Sequence, residues 1–417
     1  MKAQIPNFND LIFSGAQQNT TNIPGLPVDL DDYLRDSIGE AAATLPESGI
    51  IEVVNYGRER EGLVPFWVGE GDVPTPTFIC EAAIEALRAG ETYYTYQRGI
   101  PSLREAIARY HQRHFNIDLD PERVIVTASA MQAMMETMQT LVSAGDEVIV
   151  ISPVWPNIYA CIHMQQAVAR SVPLDVDGNE WRLDLEMLFD ACNEKTKAIY
   201  INTPGNPTGW VMSKDDMLAL RDFARERGLW IVADEVYGKF VYDDIGAPSF
   251  LEIMQPDERL IVTNSFSKNW AMTGWRVGWV VIPKGLGQVY ENLVQYNTSG
   301  VASFLQSGCV VAIDEGDEFI QQQVTRCQTN RDYVCERLQS SPNVRLIKPQ
   351  GAFYLFFRVD GEPDSVNLAK WLVDDANVGL APGTAFGAGG EGYVRLCFAP
   401  SPETLRTGVE RMVEALK

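Results

Sequence analysis

Apolar and polar positions divide the chain into stretches of different period. From residue 124 to residue 282, short apolar runs at 124–127, 147–151, 198–201, 229–233 and 276–282 alternate with helix-patterned segments. That alternation predicts a mostly parallel sheet with helices on its faces, in which ligands bind beyond the carboxyl ends of the strands. Upstream, a helical pattern covers 49–59, a short strand covers 63–68, and a helix capped at Ser102 follows a tyrosine-rich loop. Downstream, a helix starts near residue 285, and a long helical stretch over 302–338 leads into short strands and helices. The predicted class is α/β, with a large domain of mostly parallel sheet flanked by helices and a smaller α+β domain formed by both chain ends. Its parts are an N-terminal arm (1–44), a small-domain part and entry to the site (45–74), a large domain (75–300) and a small C-terminal domain (301–417). The arm is rich in Asn, Gln, Thr and Pro without a sustained period, and reads as extended or partly disordered.

Composition narrows the class. A chain of 417 residues with 46% hydrophobic content can bury a large core in two or three domains. Its net charge of −22 repels phosphate backbones and anionic lipids, so nucleic acid and membrane partners are disfavoured. An anionic ligand therefore needs positive potential from local arginines and helix N-termini. Seven scattered cysteines, with no Cys-x-x-Cys pair, point to reduced thiols in a cytoplasmic protein. Residues 1–15 hold only a three-residue apolar run, short of a signal peptide's core, and no stretch reaches transmembrane length. His111 and His114 lie on one predicted helix, but no third ligand is placed beside them; they read as solvated helix surface, and no metal is expected.

The chemistry concentrates in residues 265–279, where Lys268 follows an apolar strand and Arg276 lies eight residues further on. A desolvated lysine of lowered pKa forms a Schiff base with an aldehyde, and a nearby arginine clamps a phosphate on the same molecule. Pyridoxal phosphate is such a molecule. Residues 265–268 also fit the Ser-x-x-Lys pattern of penicillin-binding acyl-transferases, but the downstream Lys-Thr-Gly is missing. Other strand ends add candidates. The run 124–127 opens into Ala128, Ser129, Ala130 and Met131, where a helix starts and small residues leave backbone N–H groups free to face a phosphate. Trp155, just past a strand, is placed to cover a flat ring. Asp234 ends the run 229–233, where a carboxylate is costly unless paired; a metal-binding role is its rival, without an accompanying ligand set. Residues 387–392 satisfy Gly-x-Gly-x-x-Gly, yet they precede a strand rather than a helix, so dinucleotide binding is rejected.

Over roughly residues 45–417 these motifs, in this order, resemble the fold-type I, class I/II aminotransferases, the aspartate aminotransferase-like family. Its specific signatures are the lysine stretch and Asn-Pro-Thr-Gly at 206–209. The resemblance implies pyridoxal 5'-phosphate as cofactor, held covalently by Lys268, with Ser265, Arg276 and the turn Ser129, Ala130, Met131 on its phosphate. It implies that Trp155 stacks on the pyridine, that Asp234 pairs with the ring nitrogen, and that Asn206 and Tyr237 bond the phenolic oxygen. Gly69 lies close to the substrate carboxylate, which Arg395 grips in a bidentate fork; Asn206 and Trp155 also meet the substrate. Gly71 stands where the family has proline, a change expected to loosen the turn. Tyr94 matches a tyrosine that reaches into the neighbouring subunit's site, so a homodimer with shared active sites is implied. The implied reaction is ping-pong transfer of an amino group between an L-amino acid, acidic or aromatic favoured, and a 2-oxo acid such as 2-oxoglutarate, with Lys268 moving the proton. Arg98 is a candidate second anchor for a distal carboxylate. Two rivals stay open: a carbon-sulfur lyase or other α,β-elimination enzyme using the same residues, and a non-catalytic sensor. For the sensor, residues 1–44 are too short and too poor in basic residues to form a DNA-binding module.

Overall fold

The computed structural model describes residue 34, residues 36–243 and residues 246–417, so most of the arm expected over 1–44 lies outside the described residues. In chain order the strands are β1 (Val64–Pro65), β2 (Val124–Thr127), β3 (Glu147–Ser152), β4 (Val168–Pro173), β5 (Asp175–Asp177), β6 (Glu180–Arg182), β7 (Thr196–Asn202) and β8 (Trp230–Asp234). They continue with β9 (Leu260–Ser265), β10 (Gly278–Val281), β11 (Val344–Leu346), β12 (Tyr354–Val359), β13 (Val378–Gly379), β14 (Ala381–Pro382) and β15 (Tyr393–Cys397). A seven-stranded sheet has the order β2-β10-β9-β8-β7-β3-β4 and is parallel except for β10, which is antiparallel to both neighbours. A four-stranded antiparallel sheet has the order β11-β12-β15-β14, and β1 pairs in parallel with β13, joining an early segment to a late one.

The central strands carry continuous apolar runs because both faces are covered, and their polar residues gather toward the strand ends. Every residue of β9 is buried, and only Lys197 of β7 and Trp230 of β8 escape burial. At the edge, β4 alternates exposed and covered positions, and its Arg170 pairs with Glu147 of β3. The helix Lys214–Arg227 shows how a covering helix is bounded: Ser213 accepts from the Asp216 N–H at one end, and Gly228, at φ 67°, closes the other. Helix Ser129–Leu141 lies against β9 and β10, while Gly49–Gly57 packs on Ser365–Ala376 and β14, so both chain ends build the second body.

This topology aligns the carboxyl ends of the parallel strands. Asn202 pairs with Asp234, Asp234 with Thr263, and Gly278 with both Ser265 and Thr127. Buried polar residues mark that edge, among them Thr127, Ser152, Asn202, Asp234 and Ser265.

Some expected elements change. The strand over 63–68 shrinks to β1, which pairs with β13, and the Phe66 N–H donates to the Gly379 carbonyl at 2.8 Å just beyond it. The helix expected to be capped at Ser102 begins at Pro101 with Ile100 at the N-cap; proline's fixed φ and missing N–H suit the first helical position. Arg276 is not a strand residue, since its φ of 53° turns the chain just ahead of β10. His111 and His114 are not solvated surface. His111 is buried among Tyr110, Phe115 and Trp279, and burial pushes its ring down to about 3; His114 meets Lys239 at 3.0 Å and Asp317 at 2.9 Å. The helix over 302–338 is two, Ser303–Glu315 and Asp317–Gln339, broken at Gly316. A Cβ on Gly316 would lie 2.3 Å from the Ala312 carbonyl oxygen and 2.5 Å from Trp270 Nε1, and Trp270 is fully buried. Gly316→Ala is therefore expected to cost about 1–3 kcal/mol, measured from the urea unfolding midpoint; an unchanged midpoint would show that the indole yields freely.

Candidate active site

A cavity of about 670 Å³ opens at the carboxyl edge of the seven-stranded sheet. It gathers Gly69, Ala130, Met131, Trp155, Asn206, Asp234, Tyr237, Ser265, Lys268, Arg276 and Arg395. Ser48, Ile50, Ile51 and Val54, in and just before helix Gly49–Gly57, add a largely apolar wall. Ser129 sits immediately behind, buried and in a left-handed conformation at φ 86°. A Cβ on Gly278 would come within 2.6 Å of the Ala130 nitrogen, so glycine at 278 leaves that backbone room.

The short helix Phe266–Asn269 holds Lys268 at the end of β9, with Ser265 capping it by accepting from the Ser267 N–H at 3.0 Å. Lys268 Nζ donates to the Gly69 carbonyl at 2.8 Å and lies 5.8 Å and 5.9 Å from the ring centres of Tyr237 and Phe353. Burial pushes the amine down to about 8; Cys397 and Glu70 oppose that fall, and the charges of Arg395 and Arg276 add to it. An amine of that basicity is partly neutral near physiological pH, the state in which it acts as nucleophile or base.

Asp234 accepts from the Tyr200 hydroxyl at 3.0 Å and from the Val236 N–H at 3.3 Å. Burial still pushes its carboxyl up to about 6, against those bonds and the charge of Lys268. The Tyr237 and Tyr354 hydroxyls are 2.8 Å apart, and a Cβ on Gly69 would stand 2.3 Å from the Tyr354 hydroxyl oxygen. Arg395 is 3% exposed and lies over the rings of Tyr354 and Phe386 at 4.6 Å and 4.9 Å. It donates to Asn206 Oδ1 at 3.0 Å and to the Trp67 carbonyl, while its Nε has no partner; no carboxylate neutralises it among the described residues. Arg276 donates to the Thr273 carbonyl at 2.6 Å from an exposed position at the cavity wall.

Two candidates lie elsewhere. Tyr94 is 94% exposed and does not line the cavity of its own chain. Arg98 is committed to Glu291 at 2.7 Å and Glu122 at 3.5 Å, so it is no second anchor in this cavity. At Gly71, a Cβ would lie 3.0 Å from Arg326 Nη2, which donates to the Ala399 carbonyl at 2.9 Å. Sequence reasoning gave no role to Tyr200, Asn202, Ser267, Thr273 or Tyr354. The available signal was a tyrosine inside the buried run 198–201, one strand away from an acid-ended run. Among the described residues no three His, Cys, Asp or Glu side chains gather as a metal site, and no helix is long and apolar enough to cross a membrane.

A desolvated lysine, a buried acid and an unneutralised guanidinium at the carboxyl edge of an α/β sheet define an enzyme site for amine chemistry on an anionic substrate. Comparison with known proteins sharpens that class. Residues 62–412 match the family model for aminotransferase class I and II. The chain is 35% identical over 383 residues to an aspartate aminotransferase of Pyrococcus horikoshii, spanning 91% of this chain and 97% of that protein. It is 36% identical over 395 residues to a probable aspartate/prephenate aminotransferase of Aquifex aeolicus, spanning 92% and 100%. A solved structure of a Thermus thermophilus aspartate aminotransferase single mutant matches with TM-score 0.86 at 31% identity, over 91% of this chain and 99% of that one. The chain belongs to the class I and II aminotransferases and is an aminotransferase, as its motifs implied; nothing in these relationships favours the elimination enzyme or the sensor.

The buried acid yields a test in the cofactor-free protein. The folded pKa of Asp234 lies above its unfolded value, so its stabilising contribution is full below about pH 4 and is lost as pH rises through 6. Asp234→Asn removes that loss. Between pH 4 and pH 7.5 the stability difference should move in the variant's favour by about 2 kcal/mol in urea unfolding; a difference constant with pH would show that the carboxyl is not desolvated.

Proposed function

We propose that this aminotransferase holds pyridoxal 5'-phosphate through Lys268 and moves an amino group between L-amino acids, acidic or aromatic favoured, and a 2-oxo acid such as 2-oxoglutarate. The family is generally pyridoxal phosphate-dependent, and the observation that carries the reading is a lysine amine lowered to about 8 in one cavity with Asp234 and Arg276. The residues fit the group: a buried acid raised to about 6 gains from a ring cation beside it, and the unpartnered Nε of Arg395 leaves capacity for a carboxylate. When bound, the cofactor supplies an aldehyde carbon for the amino group and an electron-withdrawing ring for the electron pair released at the substrate Cα.

In this reading Asp234 pairs with the ring nitrogen, Tyr237 and Asn206 bond the phenolic oxygen, and Trp155 covers the ring. Ser265, Arg276 and the backbone N–H groups of Ser129, Ala130 and Met131 hold the phosphate. Arg395 takes the substrate α-carboxylate beside Gly69, with Asn206 and Trp155 also facing the substrate. Lys268 then takes the Cα proton on Nζ and later gives it up. The named substrates of the relatives, aspartate, aspartate or prephenate, and aromatic amino acids, support the proposed pair. Three exposed tyrosines, Tyr93, Tyr94 and Tyr96 at 84%, 94% and 63%, support a homodimer in which Tyr94 completes the partner's site. The proposal also includes a cytoplasmic location, supported by seven free cysteines, and the division at 1–44, 45–74, 75–300 and 301–417. The confinement of β2–β10 to the third part and β11–β15 to the fourth supports that division.

The test is a screen of single half-reactions with aspartate, glutamate, phenylalanine, alanine and arginine, following loss of the cofactor's visible absorbance. Acidic and aromatic amino acids are expected to discharge it rapidly; discharge by alanine or arginine alone would refute the substrate assignment. Arg395→Ala should raise KM for every substrate, corresponding to about 2–5 kcal/mol for truncating one partner of a buried charged contact. A KM equal to that of the parent protein would show that the carboxylate is held elsewhere.

A further inference from the structure

Four hydrogen bonds stitch the turn 69–75 to the lysine segment. Lys268 Nζ donates to the Gly69 carbonyl at 2.8 Å, and Thr273 Oγ1 to Glu70 Oε2 at 2.7 Å. Thr75 Oγ1 donates to the Ala271 carbonyl at 2.7 Å, and Trp275 Nε1 to Thr75 Oγ1 at 3.1 Å. The turn is also tied to the other body, where the Ser401 N–H donates to Asp72 Oδ2 at 2.8 Å and Cys397 Sγ to the Glu70 carbonyl at 3.6 Å. Glu70 lines the large cavity on one side and, on the other, a small cavity of about 40 Å³ that Lys268 and Thr273 also line. Among the described residues, Glu70 and Asp234 are the only carboxylates lining the large cavity.

The groups acting on the Lys268 amine leave little choice of counter-charge. Arg395 and Arg276 repel its protonated form, and Asp234, Glu70 and Cys397 favour it. The Cys397 thiol is pushed by burial up to about 11, so it stays neutral at physiological pH. Asp234 is already engaged with Tyr200, and in the proposed function it faces the ring nitrogen. We infer that Glu70 is a positioning residue for Lys268: its carboxylate, fixed by Thr273 on the turn that already receives the amine, is the counter-charge for the ammonium that Lys268 becomes on taking up a proton. The inference rests on the reading of Lys268 as the group that moves the proton. The proton passes from the substrate Cα to Nζ, the electron pair of the broken C–H bond stays with the substrate, and Glu70 takes no part in the transfer.

The test is the pH dependence of Lys268 acylation in the cofactor-free protein, quantified by peptide mass spectrometry. Glu70→Gln keeps an oxygen for Thr273 and removes the charge; the labelling midpoint should fall by about one pH unit. Glu70→Asp should recover at least half of that displacement, and the pH profile of kcat in the loaded enzyme should move in the same direction as the labelling. A midpoint in Glu70→Gln equal to that of the parent protein, with an unchanged unfolding transition, would overturn the inference. Should Glu70→Gln not fold, Thr273→Val, which frees the carboxylate, should move the midpoint the same way, and no movement there would overturn it equally. Failure of the underlying function looks different: no amino acid would discharge the visible absorbance of the parent protein.

Discussion

Taking charges out of water at one edge of a parallel sheet is the constraint on which the rest of this molecule depends. Asp234 and Arg395 are 5% and 3% exposed, and Lys268 is largely covered beside them. Desolvation penalises every one of them unless it finds a partner. Its mark is a carboxyl raised to about 6 facing an amine lowered to about 8. A guanidinium with an unpartnered Nε completes the set. A ligand with a cation for Asp234 and anions for Arg276 and Arg395 relieves these groups together, which is how an acidic chain of net charge −22 can still select an anionic cofactor and substrate.

The scaffold brings this about by ending its strands together. Register places Asp234 beside Asn202 and Ser265 beside Gly278, so groups distant in sequence meet without a long flexible loop. Backbone approaches that only glycine permits then close the site, at Gly278 against Ala130 and at Gly69 against Tyr354. The turn 69–75 bonds to the lysine segment and to residues 397 and 401, so Lys268 is coupled to both bodies of the chain.

Much of this was legible from sequence because the physics is local. Continuous apolar runs required strands covered on both faces, and the polar residues that follow them had to lie at the strand ends. What escaped was tertiary. Tyr200 meets Asp234 across neighbouring strands, and Tyr354 meets Tyr237 from the other sheet; neither spacing is visible along the chain. Arg98 looked free to bind substrate until its ion pairs with Glu291 and Glu122 were seen. The break at Gly316 was hidden because helical patterning continues on both sides, and the close approach of Trp270 to that position is not visible along the chain. Tyr94 shows a different limit, because the surface it is proposed to meet belongs to a second copy.

The central claim is that the buried amine of Lys268 is the group that bonds the cofactor. Borohydride reduction of the purified, cofactor-loaded protein, followed by peptide mapping, tests it most directly. One reduced pyridoxyl adduct is expected, on Lys268, and none in Lys268→Ala. Recovery of that adduct on Lys239 or any other lysine would contradict it.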